Sequence, residues 1–336
     1  MPASYRANDG LTSGLDNLWD AALNKSTRVT YMSAFKCFQR FLILNGVNSD
    51  NNNSVPYIDE NQLLYFVAYC QKTLNLKYQT IKLYLAGIRH FIIRLGGYDP
   101  MANNVRLPII LRGIQKSQDN STKERLPITG AVLEELCTLL SRGVFSVFKD
   151  LMLQCAFMMA YFGFLRCGEF KRHKADSAFI VRLQDIHVDS SNKFYIFNLR
   201  SSKCDPFNKG VNIAIYENSI FKPVDTMIKY IKLRLNLGAS QLSPLFVEDE
   251  FDLRPLSRDT FIGLLKNLLG RLGYDNCKFS GHSFRIGAAT SSAAAVGVED
   301  HIIQCLGRWS SDCYIRYIKV NSKVLQGAQY DMCFST

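Results

Sequence analysis

The chain has 336 residues, of which 47% are hydrophobic and 21% are charged, a composition that excludes an intrinsically disordered chain. It is long enough for two domains of ordinary size, each with its own core. With 40 Lys and Arg against 29 Asp and Glu, the formal net charge is +11, and this basic excess favours a polyanionic partner.

The first 116 residues are predicted to form a bundle of about four helices joined by polar turns. Ser26 and Thr27 are typical helix caps, and Asp59 with Gln62 resembles a capping box. Apolar residues spaced three and four apart predict a third helix, which Gly96 ends. The four predicted helices begin near Thr27, near Asp59, at Ile81 and at Leu107.

An entirely polar run, KSQDNSTKER at residues 116–125, follows the last of these helices. Such a run is typical of an interdomain linker. We therefore expect a helical domain at 1–116, a linker at 117–125 and a second domain at 126–336.

The second domain is predicted to be α+β, mostly helical with a small antiparallel sheet. Strands are predicted at 179–188, 193–200 and 209–216, and the second alternates between two faces with a period of two residues. The fold class expected for the whole chain is therefore mainly α with a small antiparallel sheet. Helices are predicted at 129–140, 145–165, 223–236, 257–272, 282–296, 299–306 and 312–319.

The basic excess is present in both halves of the chain. Residues 1–120 carry 13 basic and 8 acidic side chains, and residues 121–336 carry 27 and 21. This distribution fits a protein that surrounds a polyanion better than one with a basic tail. Charge alone leaves open a soluble basic protein without a nucleic-acid partner.

Neither a membrane span nor a metal site is expected. The longest apolar stretch, Leu151 to Leu165, has 15 residues and would rise roughly 22 Å as a helix, short of a bilayer core of ~30 Å. The 10 cysteines are scattered without CxxC spacing, so we expect them to be reduced, in an intracellular protein that carries no export signal. His301 and Cys305 are four residues apart, which is weak evidence for a metal.

Several side chains of the second domain suit phosphate chemistry. Arg166 ends a very apolar helix in FGFLRCGEF, where a guanidinium needs an anionic partner or ligand. Glu169, three residues later, is the alternative partner, in a purely structural salt bridge. His282 and Arg285 form an HxxR pair on the first turn of a predicted helix, where backbone N–H groups attract anions. A capping histidine with a surface arginine is the alternative.

Three further residues complete the set. Lys203 lies in SSKCDPFNKG, the loop between two predicted strands, and could donate a proton in a cleft or be simply solvated. Trp309 follows Leu306-Gly307-Arg308, with buried packing as its plainest interpretation. Tyr317 follows in RWSSDCYIRYIK, and Tyr314 stands one turn earlier.

The order of these elements resembles the catalytic signature of the tyrosine recombinases, the phage-integrase family. An arginine, a hairpin lysine, HxxR, a tryptophan and a tyrosine occur in the family's order. The sequence segments around them are most similar to those of recombinases of DIRS-like and Crypton mobile elements of eukaryotes. These segments are RLPIT, YFGFLRCGEF, SSKCDPF, GHSFRIGAAT and LGRWSSDCYIRYI. The resemblance extends over about residues 25 to 330.

The resemblance implies an architecture and a set of partners. It implies a helical, SAM-like core-binding domain at 1–116 and a catalytic domain at 126–336, which together form a C-shaped clamp on double-stranded DNA. It also implies a tetramer on two DNA sites, a Holliday junction intermediate and, for a eukaryotic element, a nuclear location. Residues 320–334, with apolar side chains at near-helical spacing, would link subunits or else pack on their own domain.

The resemblance also implies a chemistry that needs neither metal nor cofactor. Tyr317 would attack a DNA phosphate to give a 3′-phosphotyrosyl intermediate and a free 5′-hydroxyl. Arg166 and Arg285 would hold the nonbridging oxygens. Lys203 would protonate the leaving oxygen.

The other implied roles are supporting ones. His282 would assist proton transfer at the tyrosine, Trp309 would donate its indole N–H and pack the site, and Glu169 would orient the His282 side. Trp309 precedes Tyr317 by eight residues, one fewer than in bacterial and phage members, so Tyr314 stays a second candidate nucleophile. Two other functions stay open: a domesticated DNA-binding protein that no longer cleaves, and a type IB topoisomerase-like enzyme.

Overall fold

The structure is a computed structural model that describes residues 9–47, 57–118, 125–169, 180–200, 202, 205, 209–295 and 297–319. The chain divides into two compact units, Met1–Thr122 and Lys123–Thr336. The division falls within the predicted linker at 117–125.

The first unit contains five helices: α1 (Asp9–Ala21), α2 (Lys25–Leu44), α3 (Glu60–Lys72), α4 (Tyr78–Arg94) and α5 (Arg106–Ser117). The apolar stripes of α2 to α5 meet in one core, in which Phe38, Phe66 and Ile88 are fully buried. The capping box of α3 is confirmed, since Asp59 accepts the Gln62 backbone N–H at 2.7 Å.

Two details of the first unit differ from the prediction. Helix α2 begins earlier than expected, with Asn24 rather than Ser26 or Thr27 at its N-cap and no side-chain capping bond. Helix α1 was not predicted. Arg94 of α4 fixes it through ion pairs with Asp16 and Asp20, contacts that no local sequence pattern reveals.

The second unit is mostly helical and has a three-stranded antiparallel sheet in the order β1–β2–β3, followed by a separate two-stranded β4–β5 hairpin. In chain order it contains α6 (Gly130–Ser141), α7 (Val147–Phe162), β1 (Ile186–Val188), β2 (Phe194–Leu199), β3 (Val211–Tyr216), α8 (Pro223–Asn236), β4 (Val247–Asp249), β5 (Asp252–Pro255), α9 (Arg258–Arg271), α10 (Ser283–Ala294) and α11 (Asp300–Gly307). The expected fold class, mainly α with a small antiparallel sheet, is confirmed.

Helix α7 lies at the centre of the second unit. It is apolar on all sides, and Met152, Phe157 and Met159 are fully buried, as expected of a helix surrounded by other elements. Helices α6, α8 and α10 pack against it. This burial fixes the position of the turn that follows α7, from which the candidate site is built. Among the described residues, no helix is long and apolar enough to cross a bilayer.

The structure corrects two of the predicted elements. Over 180–188, the described part of the strand expected at 179–188, only Ile186–Val188 form a strand, because Leu183–Asp185 form a 3-10 turn closed by the Asp185 carboxylate on the Arg182 backbone N–H at 2.8 Å. The helix expected at 312–319 is a 3-10 helix, Asp312–Tyr317. The β4–β5 hairpin was not predicted. The proposed connecting segment, 320–334, lies outside the described residues.

Candidate active site

The turn after α7 supplies the first part of the site. Gly163 ends the helix, and a Cβ there would approach the Met159 carbonyl oxygen to 2.7 Å, so only glycine fits without movement. Phe164 follows in the left-handed region with φ 49°, an uncommon conformation for a large side chain. The reversal directs the Phe164 carbonyl and the Arg166 side chain toward the residues described next.

Arg166 forms an ion pair with Glu169, its Nη1 donating to Oε1 at 2.9 Å. The Arg166 backbone N–H also donates to the other oxygen of the same carboxylate, at 2.9 Å. Glu169 is buried. The structural salt bridge that the sequence left open is therefore present, and it holds the guanidinium in one orientation.

Arg285, on the first turn of α10, is fully buried. Its Nη1 donates to the Phe164 carbonyl at 2.5 Å and its Nη2 to the Gly307 carbonyl. The alternative interpretation, a surface arginine, is therefore wrong. Burial, followed by the nearby positive charge of Arg166, lowers the pKa of Arg285 to about 10. Its Nε has no hydrogen-bond partner among the described residues.

His282 occupies the N-cap position of α10, with its side chain exposed to solvent. Its side chain makes no capping bond, so the interpretation as a capping histidine is not supported. The His282 backbone N–H donates to the Ser280 hydroxyl at 3.3 Å. The implied action of Glu169 on the His282 side stays a prediction.

Trp309 packs at the centre of the site. Its ring lies 5.3 Å from that of Tyr317 and 6.0 Å from that of Phe164. The side chain is 6% exposed, and its Nε1–H has no acceptor among the described residues. Trp309 therefore packs as the plain interpretation requires, and it also keeps a buried donor that no described group satisfies.

The 3-10 helix places the two candidate nucleophiles in different surroundings. Tyr314 is buried, and burial together with a hydrogen bond to the acidic Asp300 raises its pKa. Tyr317 is half-buried, and its ring centre is 5.7 Å from the guanidinium carbon of Arg285. Thr290 of α10 fixes this residue by donating to its carbonyl at 3.2 Å. These surroundings favour Tyr317 over Tyr314 as the candidate nucleophile.

Lys203 lies outside the described residues, in the connection between β2 and β3. The antiparallel pairing of these two strands is confirmed, with Leu199 opposite Val211 at the end nearest the loop. Arg200, at the start of the loop, donates from Nε to the buried Asp185 carboxylate at 2.9 Å. The base of this hairpin is therefore anchored to the second unit.

Arg308 is a residue of the site that the sequence reasoning missed. Its Nη1 donates to the Gly163 carbonyl at 2.8 Å, and its Nη2 reaches the Glu169 carboxylate at 3.4 Å. The spacing to the tyrosine could have identified it. Arg308 precedes Tyr317 by nine residues, whereas Trp309 precedes it by eight, one fewer than the spacing expected from the resemblance.

The structure thus brings together most of the predicted site. Contacts among the described residues, together with the shared Phe164 carbonyl, connect five of the predicted residues and Arg308 into one cluster rich in guanidiniums; the five are Arg166, Glu169, Arg285, Trp309 and Tyr317. Such a cluster can bind an anion and stabilise negative charge beside a tyrosine hydroxyl. Among the described residues, no group of three or more His, Cys, Asp or Glu is arranged to hold a metal ion.

No protein-family model and no curated protein matches this chain, but solved structures do. The XerH site-specific recombinase bound to palindromic difH has a TM-score of 0.60 at 15% identity, with 90% of this chain and 78% of that one covered. The Tn1549 transposon integrase bound to transposon right end DNA has a TM-score of 0.57 at 14% identity, covering 93% and 95%. The chain has the fold of the tyrosine recombinases.

A further structure has the same fold. A lambda integrase dimer bound to a COC′ core site has a TM-score of 0.50 at 16% identity, with 94% of this chain and 82% of that one covered. The recombinase fold therefore extends over both units. The affinity to DIRS-like and Crypton recombinases stays a prediction.

Proposed function

We propose that this protein is a DNA recombinase or integrase that breaks and rejoins DNA through a 3′-phosphotyrosyl intermediate. The observation that carries the proposal is the packing of Tyr317 against Trp309 and Arg285. A tyrosine hydroxyl beside a guanidinium cluster is suited to attack a phosphodiester, because the cluster stabilises the charge that builds on phosphorus-bound oxygen.

The proposed reaction is a transesterification. The Tyr317 oxygen attacks phosphorus, the new P–O bond to tyrosine forms, and the P–O bond to the 5′-oxygen breaks. The tyrosine loses its proton and the 5′-oxygen gains one, so the number of phosphodiester-type bonds is unchanged. The stored bond energy allows rejoining without ATP. Arg166 and Arg285 neutralise the nonbridging oxygens.

The proton transfers require two further residues. Lys203 would protonate the 5′-oxygen from the β2–β3 loop, and His282 would assist at the tyrosine. Arg200, which follows β2, donates to the Asp185 carboxylate, and this contact fixes the end of the strand from which the connection to Lys203 starts. The exposure of His282 at the amino end of α10 supports its access to a substrate.

The proposed partner is double-stranded DNA, held by both units as a clamp. The basic excess of both halves of the chain supports this, since each lysine or arginine that neutralises a phosphate releases a counterion. DNA affinity should therefore fall steeply as salt rises. An affinity that is indifferent to salt would contradict the clamp.

We further propose a tetramer that joins two DNA sites through a Holliday junction, in the nucleus, as part of a DIRS-like or Crypton element. The apolar periodicity of residues 320–334 supports their role as a subunit connector. A chain ending at Lys319 should still bind one site but form no synaptic complex in analytical ultracentrifugation. Tetramers of the shortened chain on DNA, or its unfolding, would refute the connector.

Covalent capture tests the proposed reaction. The full chain is incubated, in excess EDTA, with nicked duplexes that contain a randomised segment. A nick near the cleavage point lets the leaving fragment diffuse away, which traps the adduct. DNA that stays attached under denaturing conditions is sequenced, and peptide mapping locates the tyrosine. We expect 3′-linked adducts without added metal, since guanidinium groups supply the positive charge.

The same experiment separates the two alternatives. DNA binding without an adduct on any sequence would identify a DNA-binding protein that no longer cleaves. Relaxation of supercoiled plasmid by a monomer, without exchange of strands between duplexes, would identify a topoisomerase-like enzyme. Adducts that form only with magnesium would contradict the proposed chemistry.

A further inference from the structure

Arg308 has a backbone conformation that is unfavourable for a residue with a side chain. It ends α11 in the left-handed region, with φ 56° and ψ 45°, a position that glycine usually fills at helix ends. A non-glycine residue in this conformation is strained, and it persists where surrounding contacts compensate. The contacts of this side chain are therefore informative.

The Arg308 guanidinium spans the two acceptors that also orient the other arginines. Its Nη2 donates to the Phe164 carbonyl at 3.4 Å, and Nη1 of Arg285 donates to the same oxygen at 2.5 Å. Its Nη2 also reaches the Glu169 carboxylate at 3.4 Å, which Arg166 binds at 2.9 Å. Arg308 is thus connected to both arginines, each through a shared acceptor.

Three guanidiniums, those of Arg166, Arg285 and Arg308, are concentrated in this cluster. Among the described residues, Arg166 and Arg308 both form ion pairs with the Glu169 carboxylate, and Arg285 lies close enough to feel its charge. The Arg308 side chain is 19% exposed and that of Glu169 is 5% exposed, so solvent screens these charges only weakly. Guanidiniums gathered in so little solvent suit a multiply charged anion, such as the transition state of phosphoryl transfer.

We propose that Arg308 is a positioning residue of the site, which holds Arg166 and Arg285 in their anion-binding arrangement through Glu169 and the Phe164 carbonyl. This inference rests on the proposed function for its substrate, a DNA phosphodiester. The arrangement of the three arginines can be tested without DNA, because it should also determine the affinity of the site for a simple anion.

Trp309 provides the readout. The chain has 2 tryptophans, so Trp19→Phe leaves Trp309 alone, with its ring 4.3 Å from the guanidinium carbon of Arg285. Sulfate serves as the probe for a tetrahedral oxyanion, and the emission of Trp309 is followed during titration of the full chain. The variants are Arg308→Met, Arg308→Gly and Arg308→Lys. The matched control is Arg271→Met, which removes an exposed arginine of the same unit.

We expect the dissociation constant for sulfate to rise about tenfold in Arg308→Met and Arg308→Gly, because the contacts of Arg308 with the acceptors that orient Arg166 and Arg285 are lost. Glycine relieves the left-handed backbone, so Arg308→Gly should keep the thermal stability of the parent. Arg308→Lys should recover part of the affinity through Glu169, and Arg271→Met should equal the parent. Parental affinity in both Arg308→Met and Arg308→Gly, or no sulfate response in the parent, would overturn the inference.

Cleavage distinguishes this inference from the proposed function. On a duplex recovered by covalent capture, the bound Arg308→Met variant should form the adduct about a hundredfold more slowly than the parent. An unchanged rate would refute Arg308 as a positioning residue and leave the recombinase proposal intact. If Arg308→Met weakens sulfate binding but the parent forms no adduct on any DNA, the reaction is refuted and the role of Arg308 stays intact.

Discussion

The guanidinium carbon of Arg285 lies 4.3 Å from the ring centre of Trp309, so a buried cation and a buried aromatic face form one unit. A desolvated pair of this kind contributes about 2 kcal/mol. The same guanidinium donates to the carbonyls of Phe164 and Gly307. Arg285 thereby connects the turn after α7 to the end of α11, and Trp309 covers the connection.

Two substitutions of Trp309 separate packing from hydrogen bonding. Trp309→Phe keeps an aromatic face for Arg285 and removes an indole N–H that has no described acceptor, so the melting temperature should fall by only a few degrees. Trp309→Ala should cost about 3–5 kcal/mol by leaving a cavity. If the N–H donates to the substrate, Trp309→Phe should slow adduct formation at least about tenfold. An unchanged rate would leave Trp309 with packing alone.

The two tyrosines of the 3-10 helix should differ in their effect on the covalent adduct. Tyr317→Phe should abolish it, because Tyr317 packs beside Arg285. Tyr314→Phe should keep it and lower stability slightly, since it loses the interaction of the Tyr314 hydroxyl with Asp300. Tyr216→Phe, which alters a tyrosine that is 66% exposed, is the control. An adduct lost only in Tyr314→Phe would reassign the nucleophile.

Sulfate binding should weaken as pH rises through about 10. Burial and the neighbouring Arg166 lower the pKa of Arg285 to about 10, so above that pH the folded protein loses a positive charge that an ordinary arginine would keep. Sulfate does not titrate in this range, so a change in affinity reports the protein. The measurement is the Trp309 titration in the Trp19→Phe chain between pH 8 and about 11.

Arg285→Met provides the comparison for this profile. It should bind sulfate weakly already at pH 8, and the decline attributed to Arg285 should be absent. If the variant and its parent lose affinity over the same interval, another group is responsible.

The main elements could be predicted because their signals are local. Helix α7 follows from an apolar run, and β2 from the alternation that its burial pattern repeats. Helix α1 could not be predicted, since ion pairs from Arg94, 74 and 78 residues away in sequence, fix it. The β4–β5 hairpin has strands of 3 and 4 residues, too short for a periodic pattern to be recognised.

The candidate site shows the same limit. The HxxR motif identified Arg285 as a candidate site residue. It could not show that the Arg285 guanidinium is buried against the Phe164 carbonyl, which is 121 residues away in sequence. Arg308 reaches the same oxygen over 144 residues. A motif identifies residue types and their spacing, whereas the sharing of one acceptor by two arginines depends on how α7, α10 and α11 pack.

The packing of α10 depends on a glycine at position 287, which can be tested by substitution. A Cβ added to Gly287 of α10 would overlap the backbone carbonyl of Ile128. The Ile128 backbone cannot move away easily, because its N–H donates to the Ser283 carbonyl at 2.9 Å. Gly287→Ala should therefore push α10 away from this segment and lower the free energy of unfolding by about 2–3 kcal/mol. Because Arg285 is two residues earlier on the same helix, sulfate binding should weaken as well.

Gly263 of α9 is the matched control, a helical glycine with open space where its Cβ would lie. Gly263→Ala should raise the free energy of unfolding by about 0.5–1 kcal/mol through helix propensity and leave sulfate binding unchanged. Urea denaturation of both variants, with the Trp309 titration on the folded proteins, makes the comparison. Equal stability of the two variants would show that α10 can move away from Ile128 at little cost, and the fixed position assigned to Arg285 would then be wrong.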